Sequence, residues 1–189
     1  MMNQNGRRAA IQIAREKLTL NPVYLDTETT GIGPYDEIVD ICIVDHDGRI
    51  LLDTLVKPTF RIPTDAAAIH GISNEMVANA PEWLDVWDEV REILEGRHVG
   101  VYNADFDTRL IDQTNQVHNI AWRFPKERAF CIMKLYATFY GAWNRRFRSY
   151  RWQKLGNAGA QCGIDIPNSH RAKDDTLLAR AVLHYMANQ

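Results

Sequence analysis

Among 189 residues there are three cysteines, Cys42, Cys131 and Cys162, far apart and without a C-x-x-C pair. That excludes a disulfide framework or a thiolate zinc site as the basis of the fold, and free thiols of a cytoplasmic protein are expected. The N-terminus lacks a signal-peptide-like pattern. No apolar run approaches the ~18 residues needed to cross a bilayer, so no membrane partner is expected. Neither sign of charge dominates: 22 Lys and Arg against 24 Asp and Glu leave a net charge of -2. A polycation is therefore excluded, and any contact with nucleic acid has to come from a local patch. Internal repeats and low-complexity linkers are also missing, so nothing marks a domain boundary. With 46% hydrophobic residues, the chain suits one sizeable α/β core. The expected organisation is an N-terminal helical extension over 1–21 and a single domain over 22–189.

What is present alternates between helical and extended periodicity. Ile11, Ala14 and Leu18 share a helical face, predicting an amphipathic helix over 7–19 that stops before Asn21 and Pro22. Residues 22–28, 38–45 and 49–57 read as three strands, the last two joined by an Asp47-Gly48 turn, which is an antiparallel meander. After Pro81, Trp83, Val86, Trp87, Val90 and Leu94 form a helical stripe suited to core packing. A fourth strand is expected over 97–102 and helices over 105–116, 131–140, 151–162 and 172–187, with a polar loop at 141–149. The fold class is α/β, a mixed sheet covered by helices.

Three acidic clusters punctuate this pattern. The first strand, VYLDTETTG at 23–31, ends in Asp26 and Glu28, which alternation places on one face. Two repelling carboxylates at a buried strand end require a cation or a retained proton. In VYNADFDTRL at 101–110, Asp105 shares a helical face with Arg109 and Asp112 and reads as solvent-facing, whereas Asp107 shares one with Leu110 and Ile111 and points inward. Asn103 can tie the loop through its amide. In HRAKDDTLLARAVLHYM at 170–186, Lys173, Thr176, Arg180 and His184 form the polar face, and Asp175 lies nearer the buried side than Asp174.

Together, D-x-E, N-A-D-F-D and H-x-A-x-x-D resemble the three motifs of the DEDDh exonucleases. These belong to the ribonuclease-H-like superfamily that includes the proofreading (epsilon-type) subunit of bacterial DNA polymerase III, ribonuclease T and oligoribonuclease. AIHGISNEMVANAP at 68–81 is similar to the segment after the third strand in the polymerase III type. The resemblance implies a ribonuclease-H-like fold and two divalent metal ions, Mg²⁺ or Mn²⁺. By it, Asp26 bridges both ions, Glu28 and Asp175 hold the ion that activates the attacking water, Asp107 supports the second, and His170 takes the proton. The imidazole's ordinary pKa near 6.5 suits that task. Thr29, Thr30 and Ile32 would receive the terminal nucleotide, His70 either faces substrate or caps and packs, and Phe106 either stacks near the site or enters the core.

The implied activity is 3′-to-5′ exonuclease hydrolysis releasing nucleoside 5′-monophosphates. Its partner would be a single-stranded 3′ end, DNA before RNA, with a DNA polymerase as a further candidate. An exoribonuclease and a catalytically silent binding module are the alternatives, and a silent module would be free to lose a metal ligand, whereas all are present. A haloacid-dehalogenase-type phosphatase would place Asp at the position of Glu28. GAWNRRFRSYRWQK at 141–154 interleaves aromatics with cations, which suits either strand binding or a solvated loop entering a helix whose Trp152 faces the core.

Overall fold

The structure, a computed structural model, describes residues 4–189, so the first three residues of the expected extension lie outside the described residues. Helix α1 (Gln4–Thr19) comes first and buries Ala10 and Ala14 completely, small side chains that let neighbouring helices approach. Strands β1 (Val23–Thr29), β2 (Ile38–Val44) and β3 (Ile50–Leu55) then make the antiparallel meander. Gly48 turns the corner between the last two with φ 98°, a conformation that disfavours a side chain. Two short helices follow, α2 (Thr64–His70) and α3 (Asn74–Val77), and then α4 (Trp83–Leu94).

The chain returns to the sheet as β4 (Val99–Val101), crosses over through α5 (Ala104–Val117) and adds β5 (Ala129–Cys131). Helix α6 (Ile132–Tyr140), a small hairpin of β6 (Trp143–Asn144) and β7 (Ser149–Tyr150), α7 (Leu155–Cys162) and α8 (Ala172–Ala187) complete it. The sheet order is β3-β2-β1-β4-β5, with β4 parallel to both β1 and β5. This is the ribonuclease-H-like arrangement of a meander joined to parallel strands. Among the described residues, no helix is long and apolar enough to cross a membrane.

Period-two alternation places a core on each face of the sheet, and a third, smaller cluster gathers Val39 with Ile62, Ala66, Ile72 and Val77. Val23 and Leu25 of β1 and Ile41 and Ile43 of β2 face α4 and α5, where the Trp83–Leu94 stripe is buried as expected. Tyr24, Cys42 and Val44 face the other way, toward α1, α6 and α8. The central strand is thus covered on both sides along its apolar residues, and Asp26 and Glu28 near its end are half-buried.

Several expectations need correction. β5 is three residues long, too short to carry an alternation signal. The 141–149 loop is a hairpin, and α7 starts at Leu155 rather than 151, which leaves Trp152 64% exposed instead of core-facing. The presumed polar face of α8 lies over the sheet. Thr176 is fully buried, its hydroxyl donating to the Ala172 carbonyl at 2.6 Å and the Cys42 carbonyl at 3.4 Å. Lys173 pairs with Asp53 at 3.1 Å, and the Arg180 guanidinium reaches the His46 carbonyl at 2.8 Å. Only Thr176 of that face is buried, its hydroxyl satisfied by main-chain carbonyls, while Lys173 stays exposed.

Candidate active site

The acids converge where β1 ends. Asp26 and Glu28 share the α8-facing side of the strand with Tyr24, and a bulge after Glu28 interrupts pairing with β2. Thr27 points the opposite way, toward α5, and there it meets Asp107. The Asp107 carboxylate is buried and accepts from the Thr27 backbone N–H at 3.1 Å and the Thr27 hydroxyl at 2.8 Å. Asp105, two residues earlier, is exposed and pairs with Lys134 at 2.5 Å. Asn103 differs from expectation: its side chain makes no cap hydrogen bond, and its carbonyl accepts from the Phe106 N–H at 2.8 Å.

From the other face of the sheet, α8 delivers Asp175 and the turn before it delivers His170. Glu28, His170 and Asp175 each offer one donor atom within 4.8 Å of the others. His170 has φ 53°, a left-handed backbone unusual for a residue bearing a side chain. Asn168 donates to one Asp175 oxygen at 2.6 Å, while the second oxygen is buried without a partner.

Three neighbours escaped the reading of the sequence. Asp40, opposite Glu28 on β2, is buried and accepts from Arg171 Nε at 2.9 Å and the Ala172 N–H at 3.3 Å. It thereby pins the residue after His170 and the start of α8, and its other oxygen is also buried and unpartnered. Asn168 and Arg171 are the remaining two. The available signal was Asp40 itself, the single charge in the wholly buried strand IVDICIV, which had to have a partner.

Electrostatically this is a frustrated cluster. Burial and then the neighbouring carboxylates of Asp107, Glu28, Asp175 and Asp40 push Asp26 well above the usual carboxylate range. Glu28 is raised to about 8 by burial and by Asp175, Asp40 and Asp107, against a smaller opposing effect of Arg171. Burial lifts Asp107 to about 7 despite its Thr27 hydrogen bonds. Asp175 and Asp40 are raised by burial, with Asn168 and Arg171 respectively opposing. All the acidic donors are hard oxygens, and two buried carboxylate oxygens lack partners. Such a set fits hard divalent cations of the Mg²⁺ or Mn²⁺ kind.

Beside the acids lies a cleft of about 520 Å³ lined by Glu28, Thr29, Thr30, Ile32, His70 and Phe106 among others. His70 is buried, and both ring nitrogens are engaged: Nδ1 accepts from the Ile72 N–H at 3.1 Å, so Nε2 donates to the Thr29 carbonyl at 3.2 Å. It therefore braces the turn from beneath the cleft. The Thr29 and Thr30 hydroxyls are spent on the Gly31 carbonyl at 2.7 Å and Asp36 at 2.7 Å. Ile32 is 81% exposed at the rim. Half-buried Phe106 borders both the cleft and the α5-side core.

A mixed five-stranded sheet with acids gathered at the end of its central strand defines the class: a nuclease of the DEDDh type. The exonuclease family (RNase_T) matches residues 23–183, and the chain belongs to that family. It is 41% identical over 181 residues to "Uncharacterized exonuclease CP81" of Escherichia phage 186, covering 93% of each chain. It is 27% identical over 158 residues to DNA polymerase III subunit epsilon of Treponema pallidum, covering 79% of this chain and 68% of that one. Among solved structures, exonuclease X in complex with 5′ overhanging duplex DNA superposes with TM-score 0.62 at 26% identity, covering 88% of this chain and 92% of the other. The nuclease domain of 3′hExo, a DEDDh family member bound to rAMP, shares the fold with TM-score 0.68 at 19% identity over 88% of this chain and 91% of that one.

Proposed function

We propose that the chain is a metal-dependent 3′-to-5′ exonuclease that releases nucleoside 5′-monophosphates, with single-stranded DNA as its preferred substrate. The observation that carries this reading is the grouping of Glu28, Asp175 and His170 within 4.8 Å, with Asp26 and Asp107 electrostatically coupled to it in one frustrated cluster. Asp26 would be shared by two Mg²⁺ or Mn²⁺ ions, with Glu28 and Asp175 completing one site and Asp107 the other. When bound, the ions would supply the positive charge that lets an anionic phosphodiester approach and would stabilise the attacking and leaving oxygens of an in-line displacement.

The remaining work falls to the chain's own groups. Thr27 fixes the orientation of Asp107, Asn168 that of Asp175, and Asp40, through Arg171 and the Ala172 N–H, the turn that presents His170. The exposed imidazole, a ring nitrogen of which lies within 4.8 Å of Glu28 and Asp175 oxygens, would accept the proton of the attacking water. His70 holds the Thr29 carbonyl, and the turn it supports borders the cleft that would receive the terminal nucleotide, with Ile32 offering apolar surface to the base.

A DNA preference is supported by the likeness to an epsilon subunit and to exonuclease X; the rAMP-bound neighbour keeps RNA as the competing substrate. The epsilon likeness also supports a place beside a polymerase in the cytoplasm, open to test by co-purification. The decisive experiment incubates the protein with 5′-labelled DNA and RNA single strands of matched sequence, in Mn²⁺ or in EDTA. A ladder shortening from the 3′ end, faster on DNA and absent in EDTA, is expected. Shortening of RNA alone would overturn the substrate, and no shortening in Mn²⁺ would overturn the activity.

A further inference from the structure

The β6–β7 hairpin combines features found nowhere else among the described residues. From Arg128 through Ile164 the chain has no acidic residue, yet the hairpin and its exit strand carry Arg145, Arg146, Arg148, Arg151 and Lys154. All five side chains are exposed, and none forms an ion pair among the described residues, although Arg146 lies over one face of the Phe147 ring at 5.4 Å. Cations elsewhere commonly find an acid, as Lys57 does with Glu82, Arg97 with Asp45 and Lys134 with Asp105. The same short stretch exposes Trp143 at 51%, Phe147 at 68% and Trp152 at 64%, while Trp83 and Trp87 are buried.

This is an ordered projection with a fixed root. Trp143 packs edge-on against Tyr150 at 5.1 Å between ring centres, the Arg151 N–H donates to the Ala142 carbonyl at 2.8 Å, and the Asn144 side chain accepts from the Arg146 N–H at 3.1 Å. Three residues beyond the hairpin, and so at most about 10 Å of extended chain away, the Gln153 carbonyl accepts from the Tyr102 hydroxyl at 2.9 Å. Tyr102 immediately precedes the junction into α5, which carries Asp107. On the other side, the Gly156 N–H donates to Asn168, whose amide holds Asp175. The root is thus tied to two of the segments that build the acidic cluster.

We infer that this hairpin is a binding surface for the single-stranded nucleic acid upstream of the scissile bond, its arginines meeting phosphates and Phe147 and Trp152 stacking on bases. Unpaired cations interleaved with exposed aromatic faces are the chemistry that recognises a single strand without reading its sequence. The inference rests on the proposed exonuclease function for its substrate, but strand binding can be measured without turnover.

The test compares wild type with an Arg145→Ala, Arg146→Ala, Arg148→Asn variant, Asn being tolerant of the positive φ of 49° at Arg148, and separately with Trp152→Ala. Fluorescence anisotropy of a labelled twelve-nucleotide dT strand in EDTA reads binding alone, and Mn²⁺-supported hydrolysis of three- and twelve-nucleotide dT strands reads KM. The arginine variant should lower the slope of log affinity against log salt by about 2, near 0.7 per lost contact. Trp152→Ala should weaken binding of the longer strand about tenfold, a typical loss for one stacked base. Both should raise KM on the long strand and leave kcat on it, and KM on the short strand, within twofold. Wild type that binds the long strand in EDTA yet hydrolyses nothing would refute the proposed activity and leave this surface standing. An unchanged salt slope in an arginine variant that still hydrolyses DNA would overturn the inference and point to a protein partner for the hairpin.

Discussion

A lone acid, Asp45, and a cluster of acids sit at opposite ends of the same strand pair, and the protein treats them differently. Asp45, just beyond the end of β2, receives Arg97 at 2.6 Å, Arg49 at 3.2 Å and His46 at 2.9 Å. Burial would raise its pKa, yet these bonds outweigh it and hold the carboxyl well below the ordinary range. Asp26, Glu28 and Asp107 at the other end are raised instead, each crowded by its neighbours or by burial. An acid that serves the fold is surrounded by donors, whereas an acid kept for chemistry is left short of positive charge. The contrast sets Asp45 apart from the proposed site acids without reference to any motif.

The sharpest way to break the comparison is Asp26→Asn, expected to cut Mn²⁺-dependent hydrolysis about 10⁴-fold by removing the shared ligand of a charge-stabilising site. Its melting temperature without metal should hold or rise, because Asn removes a carboxyl whose ionisation burial and its neighbours oppose. A drop in melting temperature would move Asp26 into the structural group. Exposed Asp105 is the control, and Asp105→Ala should stay within twofold of wild type. His170→Ala comes next, with turnover about 10³-fold slower, within the range for loss of a general base, and metal binding retained. Turnover within a few-fold of wild type would remove the imidazole from proton transfer.

Asp40 belongs to neither group cleanly, since one oxygen is paired with Arg171 and the other is bare. Asp40→Asn should slow hydrolysis by about 10- to 100-fold, the usual cost of losing a residue that orients its catalytic neighbours. The effect should appear in kcat, with KM for a short strand little changed, and loss of folding instead would assign Asp40 to the scaffold.

The smallest effect is on stability against pH. A carboxyl raised in the folded state, as Glu28 to about 8 and Asp107 to about 7, contributes stability fully present below its unfolded pKa near 4 and lost as pH climbs through those values. Metal-free protein should therefore melt a few degrees lower at pH 8.5 than at pH 5.5, and added Mn²⁺ should close the gap. Asp45, depressed in the folded state, has the opposite sign: its contribution exists above about pH 4 and fades in acid. Asp45→Ala should melt about 4–8 °C below wild type at pH 7, for roughly 2 kcal/mol of lost charged hydrogen bonds. That deficit should shrink toward pH 2 with hydrolysis at neutral pH unaffected, and a constant deficit would deny Asp45 its pairing role.

The functional end was legible where periodicity carries information. Alternation placed Asp26 and Glu28 together, and the helical wheel separated inward Asp107 from outward Asp105, because each lies in an element long enough for one face to be apolar. The rest depended on contacts between distant segments. Asp40 lies 131 residues from Arg171 in the chain, and no local pattern links an acid in an apolar strand to an arginine behind a histidine. The polar face of α8 misled for the same reason, since Thr176 is satisfied by a strand carbonyl that the helix sequence does not reveal. β5 and the hairpin strands are two or three residues long, below the span at which a period exists.

The acids also come from both sides of the sheet. Asp107 arrives with a helix packed on one face and Asp175 with α8 on the other, while Asp26 and Glu28 sit between them in the central strand. No subset of layers assembles the cluster. During synthesis, a chain from which α8 has yet to emerge holds Asp26, Glu28 and Asp107 but lacks Asp175 and His170. Under the proposed function such a chain is expected to be inert, and fragments translated only as far as Ala160 should leave a labelled strand intact.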